Sequence, residues 1–360
     1  MIKPIQRNIE VFIFFILVGI LLSTSCTPNK TQTQKISPSE PQPKHRGAHV
    51  FGITEESNLE SLKPYNFNYL TLVAWGSQAD YDSPIVGHHN GDSLMIRYND
   101  SIWIERIKSV KSQGYKVFVK PHIWLNQQTE GKWRSDIFPT NETNWDLWKE
   151  SYRHFILRYA RIAEAGNAEM YCVGTELTRL SLEKPSYWKK LIQEVRQVYS
   201  GKLIYAANWY EEYDNISFWE DLDYIGIQAY FPLSKKENPT IQEIAKGWEK
   251  HISAIENIQK KYNRKIIFTE LGYKSTADSA ISPWEWLDYM SEEDEAISLE
   301  TQANCYQAFF DTVWKKDWFV GLYLWQMRID FEKGRGKNDL DFTPQGKPAM
   351  EIIAKRYSRN

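Results

Sequence analysis

Short apolar, β-branched runs alternate along most of the chain with longer stretches whose apolar residues recur every three or four positions. Eight such runs stand out, at residues 47–53, 69–75, 116–121, 170–174, 203–208, 224–229, 265–268 and 320–325. Between them, residues 100–113 place Ile102, Ile104, Ile107 and Val110 on one face before the stop signal Gly114. Residues 144–165 repeat the spacing with Trp145, Trp148, Tyr152, Phe155, Ile156 and Tyr159. Residues 185–198, 241–262, 299–314 and 348–356 read as further helices by the same periodicity. Alternation of this kind predicts repeated βα units around a parallel sheet.

An α/β (β/α)₈ barrel over residues 46–357 accommodates eight strands with a closing helix. An open doubly wound sheet wants a glycine-rich phosphate loop after its first strand, and Phe51-Gly52-Ile53-Thr54-Glu55-Glu56 supplies none. No P-loop, GxSxG or HExxH motif is present.

The first 45 residues belong to no core. Lys3 and Arg7 precede an apolar run over residues 11–22, too short to span a ~30 Å hydrocarbon layer and typical of a secretory signal. Residues 1–25 are therefore expected to be a signal peptide of lipoprotein type. Leu21-Leu22-Ser23-Thr24-Ser25-Cys26 resembles a bacterial lipobox, with Ser23 where an aliphatic residue is usual; a plain cleaved signal is the alternative. Cys26 is the expected lipidation site, and residues 26–45, rich in Pro, Gln, Ser and Thr, form a disordered tether. The protein is thus expected to be exported and lipid-anchored to a bacterial membrane, on the periplasmic or cell-surface side. A formal net charge of −2 leaves no electrostatic footprint for nucleic acid. Cys172 and Cys305 either pair or stay as buried thiols; their places in an apolar strand and on an amphipathic helix favour thiols. A monomer is expected.

Barrel enzymes build their sites where strands end. The second run ends in Trp75, the third in Lys120-Pro121-His122-Ile123-Trp124 and the fourth in Gly174-Thr175-Glu176. The fifth ends in Asn208-Trp209, the sixth in Gln228-Ala229-Tyr230, the seventh in Thr269-Glu270 and the eighth in Trp325-Gln326. Strand ends four and seven face each other across a barrel mouth. Two carboxylates so placed suit glycosidic cleavage, which needs a proton donor and a nucleophile or base. A structural ion network is the alternative for either glutamate alone.

Val173-Gly174-Thr175-Glu176-Leu177 and Phe268-Thr269-Glu270-Leu271-Gly272-Tyr273 resemble glycoside hydrolase family 113, in a large clan of retaining barrel glycosidases. Lys120-Pro121-His122, Asn208-Trp209, Tyr230 and Trp325 fall on matching positions. The resemblance implies that Glu176 is the acid/base, Glu270 the nucleophile, and the activity retaining hydrolysis of β-1,4-mannan or mannooligosaccharides. Most clan members carry Asn before the acid/base; Thr175 stands here, which leaves the sugar 2-hydroxyl to another residue, with Asn208 the first candidate.

Around that pair, Tyr230 is expected to orient Glu270, and Lys120 to supply a positive charge or a sugar contact. His122 is expected to bond sugar or glutamate, against a core role. Trp325 is the expected floor of the reacting subsite, with Trp75, Trp124 and Trp209 as flat faces for sugar rings. The long connections at residues 78–100 and 275–295, the latter with Trp284 and Trp286, should wall the cleft. No cofactor or metal is expected. Two alternatives stay open: a non-catalytic glycan-binding lipoprotein, and the same mechanism on another β-linked glycan.

Overall fold

In the computed structural model, which describes residues 43–88, 100–287, 296–331 and 339–359, eight parallel strands close into a ring. They are β1 (His45–Phe51), β2 (Tyr69–Gln78), β4 (Lys116–Leu125), β5 (Met170–Thr175), β6 (Lys202–Asn208), β7 (Tyr224–Gln228), β8 (Lys265–Leu271) and β9 (Phe319–Arg328). β1 pairs in parallel with both β2 and β9, which closes the barrel. The two-residue β3 (Gly87–His88) adds antiparallel to β2 at the mouth, outside the ring. Residues 1–42, with the expected signal segment, Cys26 and most of the tether, lie outside the described residues. Among the described residues no helix is long and apolar enough to cross a membrane.

Helices α1 (Asp100–Ser112), α2 (Glu142–Ala165), α4 (Pro185–Arg196), α5 (Ile241–Tyr262), α6 (Leu299–Asp311) and α7 (Pro348–Tyr357) follow the expected periodicity. Their starts are chemically marked. Asn141, Thr240 and Ser298 accept backbone N–H bonds at the starts of α2, α5 and α6, and Pro185 and Pro348 open α4 and α7. The short α3 (Thr178–Glu183) lies directly after Glu176 and was not anticipated, because six residues show no period.

Strand alternation sorts the interior from the exterior. On β4, Val117 and Val119 pack outward against the helices, whereas Phe118 joins an inner layer with Tyr69, Met170, Cys172, Ile204, Ile267 and Tyr323. Continuing inward in the same phase are Lys120 and His122. The barrel is thus plugged by apolar side chains below and opens into a polar layer at the strands' C-terminal ends. β2 and β4 run further than expected, because their ladder continues unbroken to Gln78↔Leu125 and carries Trp75 and Trp124 up the cleft wall. Cys172 and Cys305 are buried free thiols.

Candidate active site

Glu176 and Glu270 stand at the mouth on β5 and β8. Glu270 is gripped on both oxygens. The Lys120 ammonium bonds its Oε1, and the Tyr230 hydroxyl donates to its Oε2 at 2.7 Å. Lys120 Nζ also bonds Gln228 Oε1 at 3.0 Å and approaches His49 Nε2 at 3.5 Å. Lys120 is fully buried beneath Glu270 and does not line the cleft, so it is placed to act as a charge and not to meet a sugar hydroxyl. Gly272 is required just beyond this carboxylate, since any Cβ there would collide with the Trp325 carbonyl.

Glu176 leaves β5 in the left-handed region, at φ 53°, a conformation that costs a non-glycine residue about 1 kcal/mol or more. Hydrogen bonds hold the turn: Glu176 N–H donates to Ala206 O at 2.9 Å and Leu177 N–H to Tyr205 Oη at 3.0 Å. Arg134 Nε lies 3.5 Å from Glu176 Oε2. Thr175 turns away from the cleft and donates to the Pro121 carbonyl at 3.0 Å.

The two carboxyls are pushed in opposite directions. Burial lifts Glu176 above the usual carboxylate range, helped by the charge of Glu270 and opposed by Arg134 and Lys120. Burial would lift Glu270 too, but the Lys120 charge overrides it and holds Glu270 below that range. His49, 3.9 Å from Glu270, is pushed by burial to about 3 and is neutral at working pH, so the lysine is the cause that counts. Gln228 acts on both carboxyls and favours their charged forms. Its Oε1 accepts from Lys120 and from Thr269, each at 3.0 Å, which turns its NH₂ toward the glutamates.

A cleft of about 830 Å³ opens over this pair, lined by Trp75, His122, Trp124, Asn208, Trp209, Tyr230 and Trp325, among others. Trp325 is almost buried at its base, while Trp124 is 43% exposed at its rim. Trp284 and Trp286 also line it, and Trp284 stacks on Trp209 with ring centroids 5.0 Å apart. Residues 288–295 and 89–99 of the two long connections lie outside the described residues. Asn208 reaches the cleft wall, but its amide nitrogen is engaged with Thr178 Oγ1 at 2.8 Å. Among the described residues no group of three His, Cys, Asp or Glu is arranged to hold a metal ion.

The chain matches the model of Glycoside Hydrolase Family 113 over residues 44–347. It belongs to that family. The protein is therefore a glycoside hydrolase. No match is found among curated proteins. It is similar to a GH113 β-1,4-mannanase solved as a complex, with 27% identity and a TM-score of 0.74 over 88% of this chain and 100% of that one. A second GH113 β-1,4-mannanase shares 29% identity and a TM-score of 0.70 over 83% and 90% of the two chains. At 23% identity, the GH113 β-mannanase AaManA from Alicyclobacillus acidocaldarius, in complex with ManMIm, shares the fold, with a TM-score of 0.74 over 88% and 98%.

Several residues of this glycoside hydrolase's site were missed in the sequence. Arg134 sits in the loop between β4 and α2, where no periodicity flags it. Glu212 is wholly buried behind Asn208. It accepts from Tyr205 Oη at 2.6 Å, Ser181 Oγ at 2.7 Å, Thr178 Oγ1 at 3.1 Å and the Asn208 N–H at 2.7 Å. Burial pushes it up to about 7 despite those four donors. His49 and Gln228 did leave a signal, as polar residues inside apolar runs and in phase with the barrel interior.

Proposed function

We propose that this enzyme hydrolyses β-1,4-mannan or mannooligosaccharides with retention, by double displacement. The observation that carries the assignment is the opposite displacement of the two carboxyls. A buried, raised Glu176 keeps a proton to donate, and a lysine-paired Glu270 stays ionised to attack. With a sugar ring on Trp325, Glu270 attacks the anomeric carbon while the Glu176 proton passes to the departing glycosidic oxygen. The covalent glycosyl-enzyme is then opened by water, whose proton returns to Glu176 and whose oxygen joins the anomeric carbon, releasing Glu270 as carboxylate. Tyr230 and Lys120 orient the nucleophile, and the tryptophans Trp75, Trp124, Trp209 and Trp284 carry further sugar units along the cleft.

Support for mannan comes from the β-1,4-mannanases that this chain resembles at 27% and 29% identity. Incubation with β-1,4-mannan, mannohexaose, cellulose and β-galactan, with products separated by thin-layer chromatography, tests the substrate. Short mannooligosaccharides from mannan alone are expected. Cleavage of a different β-glycan would reassign the sugar, and binding without any product would count against mannan as the substrate.

The N-terminal pattern supports export and anchoring through a diacylated Cys26, with the tether holding the barrel beside the membrane. Globomycin treatment or C26A should leave an unprocessed or unlipidated form, read by mass; an unchanged mature mass would count against the anchor.

A further inference from the structure

Arg134 Nη1 lies 2.7 Å from His122 Nδ1, and both side chains are buried, 7% and 3% exposed. A guanidinium has only donors, so the imidazole nitrogen facing it must accept through its lone pair. A ring that accepts at Nδ1 carries its one hydrogen on Nε2, and a doubly protonated ring is excluded because both its nitrogens would donate. Building on the proposed retaining mechanism, we infer that Arg134 is a positioning residue: it locks His122 as the neutral Nε2–H tautomer, aims that N–H at the reacting sugar, and sets the charge balance of Glu176.

Three observations support the arrangement. His122 Nε2 is buried, stands 3.7 Å from Glu270 Oε1 and has no hydrogen-bond partner among the described residues, so its donor is left for a ligand oxygen. The ring packs at a tilt of 59° against Trp75, with centroids 5.0 Å apart, and lies nearly parallel to Trp325 at 6.4 Å. Burial, reinforced by the charges of Lys120 and Arg134, keeps His122 well below the usual histidine range, so it does not acquire a second proton at working pH.

Arg134 is itself anchored. Its guanidinium lies over Trp133, 4.6 Å from the ring centroid, and Asp136 accepts from the Trp133 N–H at 3.0 Å and from Lys132 at 3.1 Å. From this seat its Nε faces Glu176 Oε2. The other groups acting on Glu176 are Glu270 on β8, Lys120 on β4 and Gln228 on β7, with Tyr230 and Tyr210 at the edge of the pair. The groups acting on His122 are Lys120, Arg134, His49 and Glu270. Arg134 reaches both groups, with Nη1 on His122 Nδ1 and Nε facing Glu176 Oε2. The ligand class this N–H takes is a hydroxyl oxygen of the sugar bound over Trp325.

The test uses the substrate-free, ¹⁵N-histidine-labelled protein and its R134M and R134K variants. Long-range ¹H–¹⁵N correlation should show His122 of the parent with hydrogen on Nε2 and a bare Nδ1 across pH 5–8. R134M should replace that pattern by exchange-averaged or reversed tautomers, and R134K, which keeps a donor, should restore it. A His122 pattern unchanged in folded R134M, or Nδ1–H in the parent, overturns the lock whether or not any sugar is cleaved. In kinetics, R134M removes the positive charge next to Glu176, so the alkaline limb of kcat/KM should move up by about one pH unit. R134K should hold the limb near its original place. An unmoved limb in R134M overturns the electrostatic half, and a merely structural arginine would lower Tm without moving either readout.

Discussion

The Tyr230 hydroxyl donates to Glu270 Oε2 at 2.7 Å, on the oxygen opposite the one held by the Lys120 ammonium. Two donors on two oxygens fix the plane of the carboxylate and favour its charged form. Y230F removes one of them without changing the ring's volume. A hydrogen bond to a charged group contributes about 1.5–3 kcal/mol, so kcat on a mannooligosaccharide should fall roughly 10- to 100-fold with the fold intact. Circular dichroism beside steady-state kinetics checks both halves.

Lys120 is what keeps Glu270 below the usual carboxylate range against the effect of burial. K120M leaves the burial and removes the charge, so the Glu270 pKa rises. Because the proposed mechanism needs Glu270 ionised to attack, the acid limb of kcat/KM then moves to higher pH, and activity is lost first at low pH. A pH–rate profile from pH 4 to 9, with Tm recorded at each pH, separates this from unfolding.

In the proposed mechanism Glu176 donates the proton that the leaving oxygen requires. E176A should lower kcat on mannooligosaccharides by roughly 10²–10⁴-fold, with a much smaller loss on an activated aryl mannoside that needs no protonation. Added azide should restore turnover on the aryl substrate and yield the β-glycosyl azide, which NMR of the product identifies.

The barrel was legible because strands buried on both faces read as unbroken apolar runs, and because Glu176 and Glu270 end two such runs abruptly. Trp75, Trp209, Tyr230 and Trp325 were readable for the same positional reason. Arg134 was not. It is twelve residues from His122 in a loop, and its partners are assembled only in space. Glu212 was hidden as well, since Tyr210-Glu211-Glu212-Tyr213 looks like any solvated turn, yet the fold exposes Glu211 and buries Glu212. Lys120 is legible as a strand-end residue with two possible roles, which depth inside the barrel separates: its ammonium reaches Glu270 from below.

Glu212 links pH to stability. Its pKa rises from the ordinary 4.5 to about 7 on folding, so the fold favours the protonated carboxyl. That contribution is complete below pH 4.5 and is lost as pH rises through 7, by roughly 3 kcal/mol in total. E212Q has no such proton to lose. Urea unfolding at pH 5 and pH 8 should show a smaller fall in stability for the variant than for the parent.

Trp284, 40% exposed, extends the aromatic surface of Trp209 in the cleft. W284A should raise KM several-fold for mannohexaose and leave hydrolysis of an aryl mannoside nearly unchanged. Equal effects on both substrates would place Trp284 in the reacting subsite instead.

The division of labour between the two glutamates is tested most directly by a 2-deoxy-2-fluoro-β-mannosyl donor with a good leaving group, followed by peptide mass spectrometry. Time-dependent inactivation and one fluoromannosyl adduct are expected, on the peptide carrying Glu270, with E270Q unlabelled. A label on Glu176, or turnover of mannan with inversion and no adduct, would contradict it.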